Sequence, residues 1–353
     1  MQKTLFLLMA MALPLAAVNT QPQDVADIPG HECVAAPVTP EGAQVKNVIF
    51  MIGDGMGSEQ VWAGRVVNKG KLNIEQLPVT GFSRTPSFSH MVTDSAAGGT
   101  ALACGQKTIN GHIGQDPAGN KLTSLLRLAE AKGMPTGLVV TKDITDATPA
   151  AFYAHVDDRR KAGEIAHYLP ESGAEFVRGG GSSHFTPEQL EAMRAKGMDI
   201  VLSAAVHMPP ASQRGDVLPQ DVARALDVLR NQSGDKGFFL MVEGSQIDTA
   251  CHANDLKETV CEMLDFDKAV GHVLEWMQTH PDTLLVITAD HQTGGLSLLG
   301  GDMQKGTLRG VYTTGSHNGI AVPVYAAGPG SAVFSGVHEN TDIYTLIKEA
   351  MEK

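Results

Sequence analysis

The chain has 353 residues, of which 42% are hydrophobic and 19% charged, with glycine at 38 positions. That is enough apolar material for a substantial core, and the length fits two domains or one large α/β sheet. The formal net charge of −12 argues against a nucleic-acid-binding surface, which needs a basic patch. It also requires that any anionic substrate be drawn in by local cations, because the field of the whole molecule repels it.

Residues 1–20 read as a signal peptide. Lys3 supplies a short positive region, Thr4 to Val18 form an apolar run, and polar Asn19, Thr20 and Gln21 follow, with cleavage expected near Ala17. The run falls short of the ~20 apolar residues that a spanning helix needs, and no later segment reads as transmembrane. A secreted or periplasmic protein with no membrane span in its mature form is expected. Residues 21–45, rich in Pro, Gln, Asp and Ala without periodicity, read as an N-terminal arm. From 46 to 353 the pattern predicts one domain. Short apolar runs at Val48–Ile52, Leu138–Thr141, Phe176–Val177, Ile200–Ser203, Phe238–Val242, Leu284–Thr288 and Val322–Ala326 alternate with helical stretches at Thr123–Lys132, Pro187–Lys196, Gln220–Gln232 and Leu256–Thr279. Strands alternating with helices predict an α/β fold whose central, mostly parallel sheet is sandwiched between helices. Cys33, Cys104, Cys251 and Cys261 show no zinc-type CxxC spacing. Cys251 and Cys261 could pair as a disulfide, or could share one helix too far apart to bridge.

Several of these strands run directly into metal-binding residue types. Phe50-Met51-Ile52-Gly53 leads to Asp54, Phe239-Leu240-Met241-Val242 to Glu243, and Val286-Ile287-Thr288-Ala289 to Asp290 and His291. Ligands of open parallel sheets bind beyond the carboxyl ends of the strands. A lone Asp in such a place commonly serves as a cap or turn residue; three strands doing the same thing are harder to assign to turns. Asp248 and His252 stand at i and i+4, so on a helix they share a face and could share an ion, or they could form a plain surface pair. His317 lies in the loop Gly315-Ser316-His317-Asn318-Gly319 and is the last of the three among 13 histidines that we assign to metal. In Val92-Thr93-Asp94-Ser95-Ala96-Ala97-Gly98-Gly99-Thr100, Ser95 either caps a helix of small residues or is a nucleophile whose phosphate faces the helix amides. No G-x-S-x-G elbow surrounds it, which leaves activation by metal. Arg159, within Asp157-Asp158-Arg159-Arg160-Lys161, could sit in a solvated charged turn or grip phosphate.

Taken together, these residues resemble the alkaline phosphatase family. The Val92–Thr100 stretch is similar to the family's serine signature. Asn47–Gly57, Asp146–Arg159, Met241–His252, Thr288–His291 and His317–Gly328 match its other blocks in order, a far more specific signal than one short motif. The resemblance implies hydrolysis of phosphate monoesters through a phosphoserine at Ser95, with Arg159 gripping two phosphate oxygens. It implies one zinc on Asp248, His252 and His317 and a second on Asp54, Asp290 and His291. A magnesium would be held by Asp54, Thr148 and Glu243. His and carboxylate donors suit zinc, and an all-oxygen set suits magnesium. The family is usually dimeric, so a homodimer is also implied. Thr249 and Asp146 resemble only part of the family, and Asn318 stands where threonine is common, which leaves metal preference open.

Two rival readings differ from this one. A two-zinc phosphodiesterase would have similar metal sites, but Arg159 speaks against it, since a diester offers fewer free oxygens. A phosphate-binding protein without turnover would need an incomplete constellation, and every expected residue is present.

Overall fold

A computed structural model describes residues 18–352. The expected signal peptide therefore lies outside the described residues except at its last positions.

The strand Asn47–Gly53 is buried along its whole length. An unbroken apolar run of this kind suits only a strand in the interior of a sheet covered on both faces. It pairs in parallel with Phe239–Gly244 on one side and with Thr283–Thr288 on the other. On the first side the nine-stranded sheet continues, all parallel, through Thr136–Asp143, Phe176–Gly180 and Asp199–Leu202. On the other, Val322–Ala327 runs antiparallel to Thr283–Thr288, followed by Val79–Arg84 and the edge strand Gly336–Glu339. Every apolar run singled out in the sequence lies in this sheet to within one residue at its ends. Val79–Arg84 and Gly336–Glu339 were not legible there, because Val79–Arg84 is only alternately buried and carries Thr80, Gly81, Ser83 and Arg84.

Alternate residues of each central strand enter opposite cores. Ile49, Met51, Leu240, Val242, Leu285 and Ile287 pack with the helices Ser58–Val67, Val217–Ser233 and Leu256–Met277. Val48, Phe50, Ile52, Phe239, Met241, Leu284 and Val286 pack with Ser95–Cys104, Leu125–Ala131 and Asn340–Glu352.

Within residues 21–45, Gln23–Val25 pairs antiparallel with Thr307–Val311 in a separate three-stranded sheet. His31 Nε2 lies 2.7 Å from the buried carboxylate of Asp267. This segment is thereby packed against the body. Cys251 and Cys261 lie on two helices, Gln246–His252 and Leu256–Met277, and not on one. No disulfide joins cysteines among the described residues. No helix among them is long and apolar enough to cross a membrane.

Candidate active site

The carboxyl ends of neighbouring parallel strands bring the site together, as an open α/β sheet dictates. Asp54 follows Asn47–Gly53, Glu243 lies near the end of Phe239–Gly244, and Asp290 and His291 follow Thr283–Thr288. Thr148 sits in the short helix Ala147–Ala150 beyond Thr136–Asp143. The chain turns sharply after Asp54 at Gly55, where φ is +72° and a Cβ would stand 3.0 Å from Asp248 Cα and 2.8 Å from Thr293 Oγ1. Only glycine allows both that conformation and that approach.

Two clusters of ligand atoms result, Asp54–Asp290–His291 and Asp248–His252–His317, each with its atoms within 4.8 Å of one another. In the first, His291 Nε2 is 3.1 Å from Asp290 Oδ2 and 3.5 Å from Asp54 Oδ1. Asp290 Oδ1 accepts the backbone N–H groups of His291 at 2.9 Å and Gly55 at 3.2 Å. Asp290 Oδ2 and Asp54 Oδ1 are buried with no hydrogen-bond partner among the described residues. In the second, His252 Nδ1 donates to the Gly315 carbonyl at 2.8 Å and His317 Nδ1 to the Thr93 carbonyl at 2.9 Å. A carbonyl can only accept, so both Nδ1 atoms carry a proton, and in the neutral rings both Nε2 atoms then present lone pairs. Those two Nε2 atoms face each other at 3.1 Å and lie 3.3 and 3.6 Å from Asp248 Oδ1. Lone pairs aimed at one another and at a carboxylate repel unless a cation lies between them, and ring nitrogens fixed by backbone carbonyls are the usual support of metal-binding histidines. Thr293 Oγ1 donates to Asp248 Oδ1 at 2.6 Å and orients it further.

Thr148 Oγ1 is likewise buried without a partner among the described residues, while Glu243 Oε2 accepts from Ser245 Oγ at 2.7 Å. The electrostatics agree with an excess of negative charge. Burial, then the carboxylates of Asp290, Asp248 and Glu243, push the Asp54 carboxyl well above its ordinary range. Burial likewise pushes Glu243 up to about 8. Burial, the largest single influence, would raise Asp290 too, but His291, His317 and the Gly55 N–H together outweigh it and hold the carboxyl at about 2. The donors, their free lone pairs and this charge all suit divalent cations.

The helix Ser95–Cys104 is buried throughout and built of small residues. Its cap is Asp94, whose side chain accepts from Ala97 N at 3.0 Å, so Ser95 is not the capping residue. Ser95 instead opens the first turn, and its Oγ lies 3.2 Å from His291 Nε2. A Cβ at Gly98 would come within 3.1 Å of the Asp290 carbonyl. The missing side chain is what lets the positive end of the helix reach the ligand cluster.

Arg159 parts company with its charged neighbours. Arg160 pairs with Asp158 and Lys161 with Asp157 at the surface, whereas Arg159 turns inward. Its Nη1 lies 3.3 Å from Asp94 Oδ2 and its Nη2 3.1 Å from Asp146 Oδ1. Asp94 thus ties the arginine to the start of the Ser95 helix. Sequence reasoning missed Asp94, Thr293 and Lys142, whose Nζ lies 2.9 Å from Asp146 Oδ2. Asp94 lies inside the serine motif and the other two near a motif, and for all three only contacts across the fold reveal the role.

Comparison with known proteins identifies the family. The family model described as alkaline phosphatase matches residues 45–203 and 204–310. The chain is 30% identical to alkaline phosphatase 4 of Bacillus subtilis (strain 168) over 95% of each chain. It is 31% identical to streptomycin-6-phosphate phosphatase of Streptomyces griseus over 88% of this chain and 91% of that one. A point mutant of TAB5 alkaline phosphatase with Mg bound in the M3 site superposes with a TM-score of 0.82 at 32% identity, covering 88% of this chain and 99% of that one; the TAB5 enzyme comes from an Antarctic bacterium. The chain therefore belongs to the alkaline phosphatase family and is an enzyme that hydrolyses phosphate monoesters.

Proposed function

We propose that this enzyme works through a phosphoserine formed at Ser95, with two zinc ions and one magnesium ion as cofactors. Asp248, His252 and His317 would hold one zinc and Asp54, Asp290 and His291 the other, while Asp54, Thr148 and Glu243 would hold magnesium. Bound there, the ions supply Lewis acidity that favours the Ser95 alkoxide and offsets charge on the leaving oxygen. Ser95 Oγ attacks phosphorus, a new O–P bond forms as the ester O–P bond breaks, and the alcohol leaves. Water then cleaves the phosphoserine, releasing inorganic phosphate and restoring Ser95. Arg159 presents a planar fork matched to two phosphoryl oxygens, and the first-turn amides of the Ser95 helix add donors to the same charge.

The observation that carries this proposal is the convergence of the His252 and His317 lone pairs on Asp248, beside a buried Ser95 that touches His291. Magnesium at the all-oxygen site is supported by donor chemistry and by the Mg that the TAB5 mutant binds in its M3 site. We further propose export directed by residues 1–20 to a secreted or periplasmic location, one catalytic domain over 46–353, and assembly as a homodimer.

The test is hydrolysis of a chromogenic phosphate monoester and of the matching diester, with Ser95→Ala in parallel. The monoester should be strongly preferred, and the variant should lose both the acid-trapped phosphoenzyme and nearly all turnover. A diester preference, or a variant that turns over like the parent, would overturn the assignment.

A further inference from the structure

The strand Thr136–Asp143 carries Leu138 and Val140 into one of the two cores, and the next residue with the same alternation is Lys142. Its side chain is only 11% exposed. An ammonium in such a place is costly unless it is paired, and nothing in the reaction described above employs it. Its Nζ lies 2.9 Å from Asp146 Oδ2. The other oxygen of Asp146 accepts from Ala147 N at 2.8 Å and from Arg159 Nη2 at 3.1 Å. Arg159 in turn reaches Asp94 Oδ2 at 3.3 Å. Lys142, Asp146, Arg159 and Asp94 form one continuous chain of alternating charge that ends at the cap of the Ser95 helix.

The sign of the charge decides what Lys142 does there. Arg159 between Asp94 and Asp146 alone is a cation outnumbered by two carboxylates, a unit of net charge −1 that would repel a phosphoryl dianion. Lys142 brings the unit to zero. Burial opposes its charge, but the Asp146 carboxylate beside it favours the protonated amine.

We infer that Lys142 is a positioning residue for phosphate recognition: by neutralising Asp146 it frees the remaining guanidinium donors of Arg159 to hold the phosphoryl group, without touching the ester itself. This rests on the assignment of Arg159 to the phosphate. It also gives the whole-molecule charge of −12 a local remedy, since one surplus carboxylate beside the binding arginine is cancelled at its source.

The experiment measures the inhibition constant of inorganic phosphate and the KM and kcat for a phosphate monoester. It compares the parent with Lys142→Met, Lys142→Arg, Asp146→Asn, the Lys142→Met/Asp146→Asn pair and Arg159→Ala, recording bound zinc and magnesium for each. Lys142→Met should weaken phosphate binding and raise KM about tenfold, the scale of one nearby charge at a partly buried site, with a smaller change in kcat. Lys142→Arg, which keeps the charge, should recover most of the loss. In the Asp146→Asn background, Lys142→Met should cost less than about twofold, because the charge it offsets has gone. Unchanged phosphate affinity in Lys142→Met, or an equal loss with and without Asp146, would overturn the inference; the second result would mean that Lys142 meets the phosphate directly. If Arg159→Ala leaves phosphate affinity intact, it is the Arg159 assignment that fails. If Arg159→Ala weakens binding while Lys142→Met does not, the inference about Lys142 fails alone.

Discussion

Asp290 shows how one side chain divides its labour: one oxygen accepts two backbone N–H groups, and the other is left free against His291. Thr293 performs a related task for Asp248, donating at 2.6 Å to the oxygen that faces His252 and His317. Groups that orient metal-binding side chains in this way are worth about 10–100-fold in metal affinity. Thr293→Val keeps the shape of the residue and removes the hydroxyl. It should weaken zinc binding by about that factor while leaving the fold in place, as competition with a graded series of chelators would show. Zinc retained as tightly as in the parent would mean that Asp248 is oriented by other means. The ligand candidates themselves were legible in the sequence, because Asp, Glu and His directly after apolar strands and at i, i+4 form a chemical pattern. The roles of Thr293, Asp94 and Lys142 were not, since a threonine or lysine near a motif, or an aspartate next to the serine, has no signature until the fold shows what it faces.

At the level of elements, the helix Leu256–Met277 is pinned to the segment Ala211–Arg214 by a buried ion cluster. Arg214 donates through Nη1 to Glu262 Oε1 at 2.8 Å and through Nη2 to Glu262 Oε2 and Asp265 Oδ2, both at 2.6 Å. Removing one partner of such a cluster leaves buried charge without compensation and costs about 3–5 kcal/mol, so Arg214→Ala should unfold at a markedly lower temperature at pH 8. Burial raises both Glu262 and Asp265 above their ordinary values of 4.5 and 3.8 even with Arg214 in place. Without it both should rise further. The folded variant then holds protons that the unfolded chain has released, so its stability is greatest below the ordinary carboxyl range and falls as pH rises through the folded values. The deficit against the parent should therefore shrink between pH 8 and pH 5, and thermal midpoints that differ equally at both would refute this account. The helix itself was legible to within its ends, as were the central strands, because continuous apolar runs and helical spacing survive any tertiary context. Val79–Arg84 and Gly336–Glu339 were hidden for the opposite reason: strands toward the sheet edge bury only part of their surface, and their sequences look like loops.

Across the whole molecule, the site joins segments that are remote in sequence, from Asp54 and Ser95 to Glu243, Asp290 and His317, and so ties the central strands to the loops beyond them. The order of its blocks was readable in the chain, whereas their meeting at one sheet edge depends on a topology in which Asn47–Gly53 lies between Phe239–Gly244 and Thr283–Thr288. Without cations the same edge concentrates repulsion. Asp54 is pushed upward by burial and by three neighbouring carboxylates, and Glu243 by burial to about 8. Ions that bind only the folded chain stabilise it by mass action, by about 4 kcal/mol at a thousandfold excess over Kd. For a chain of this size that is about 5 °C in thermal midpoint. Chelation should therefore lower the midpoint by roughly that amount as it abolishes activity, and zinc with magnesium should restore both together. Activity lost at an unchanged midpoint would mean that the ions contribute chemistry without holding these segments together. Activity retained in a demonstrably metal-free sample would remove the ions from the reaction altogether, and the 3.1 Å approach of the His252 and His317 Nε2 atoms would then be a hydrogen bond from one protonated ring to the other.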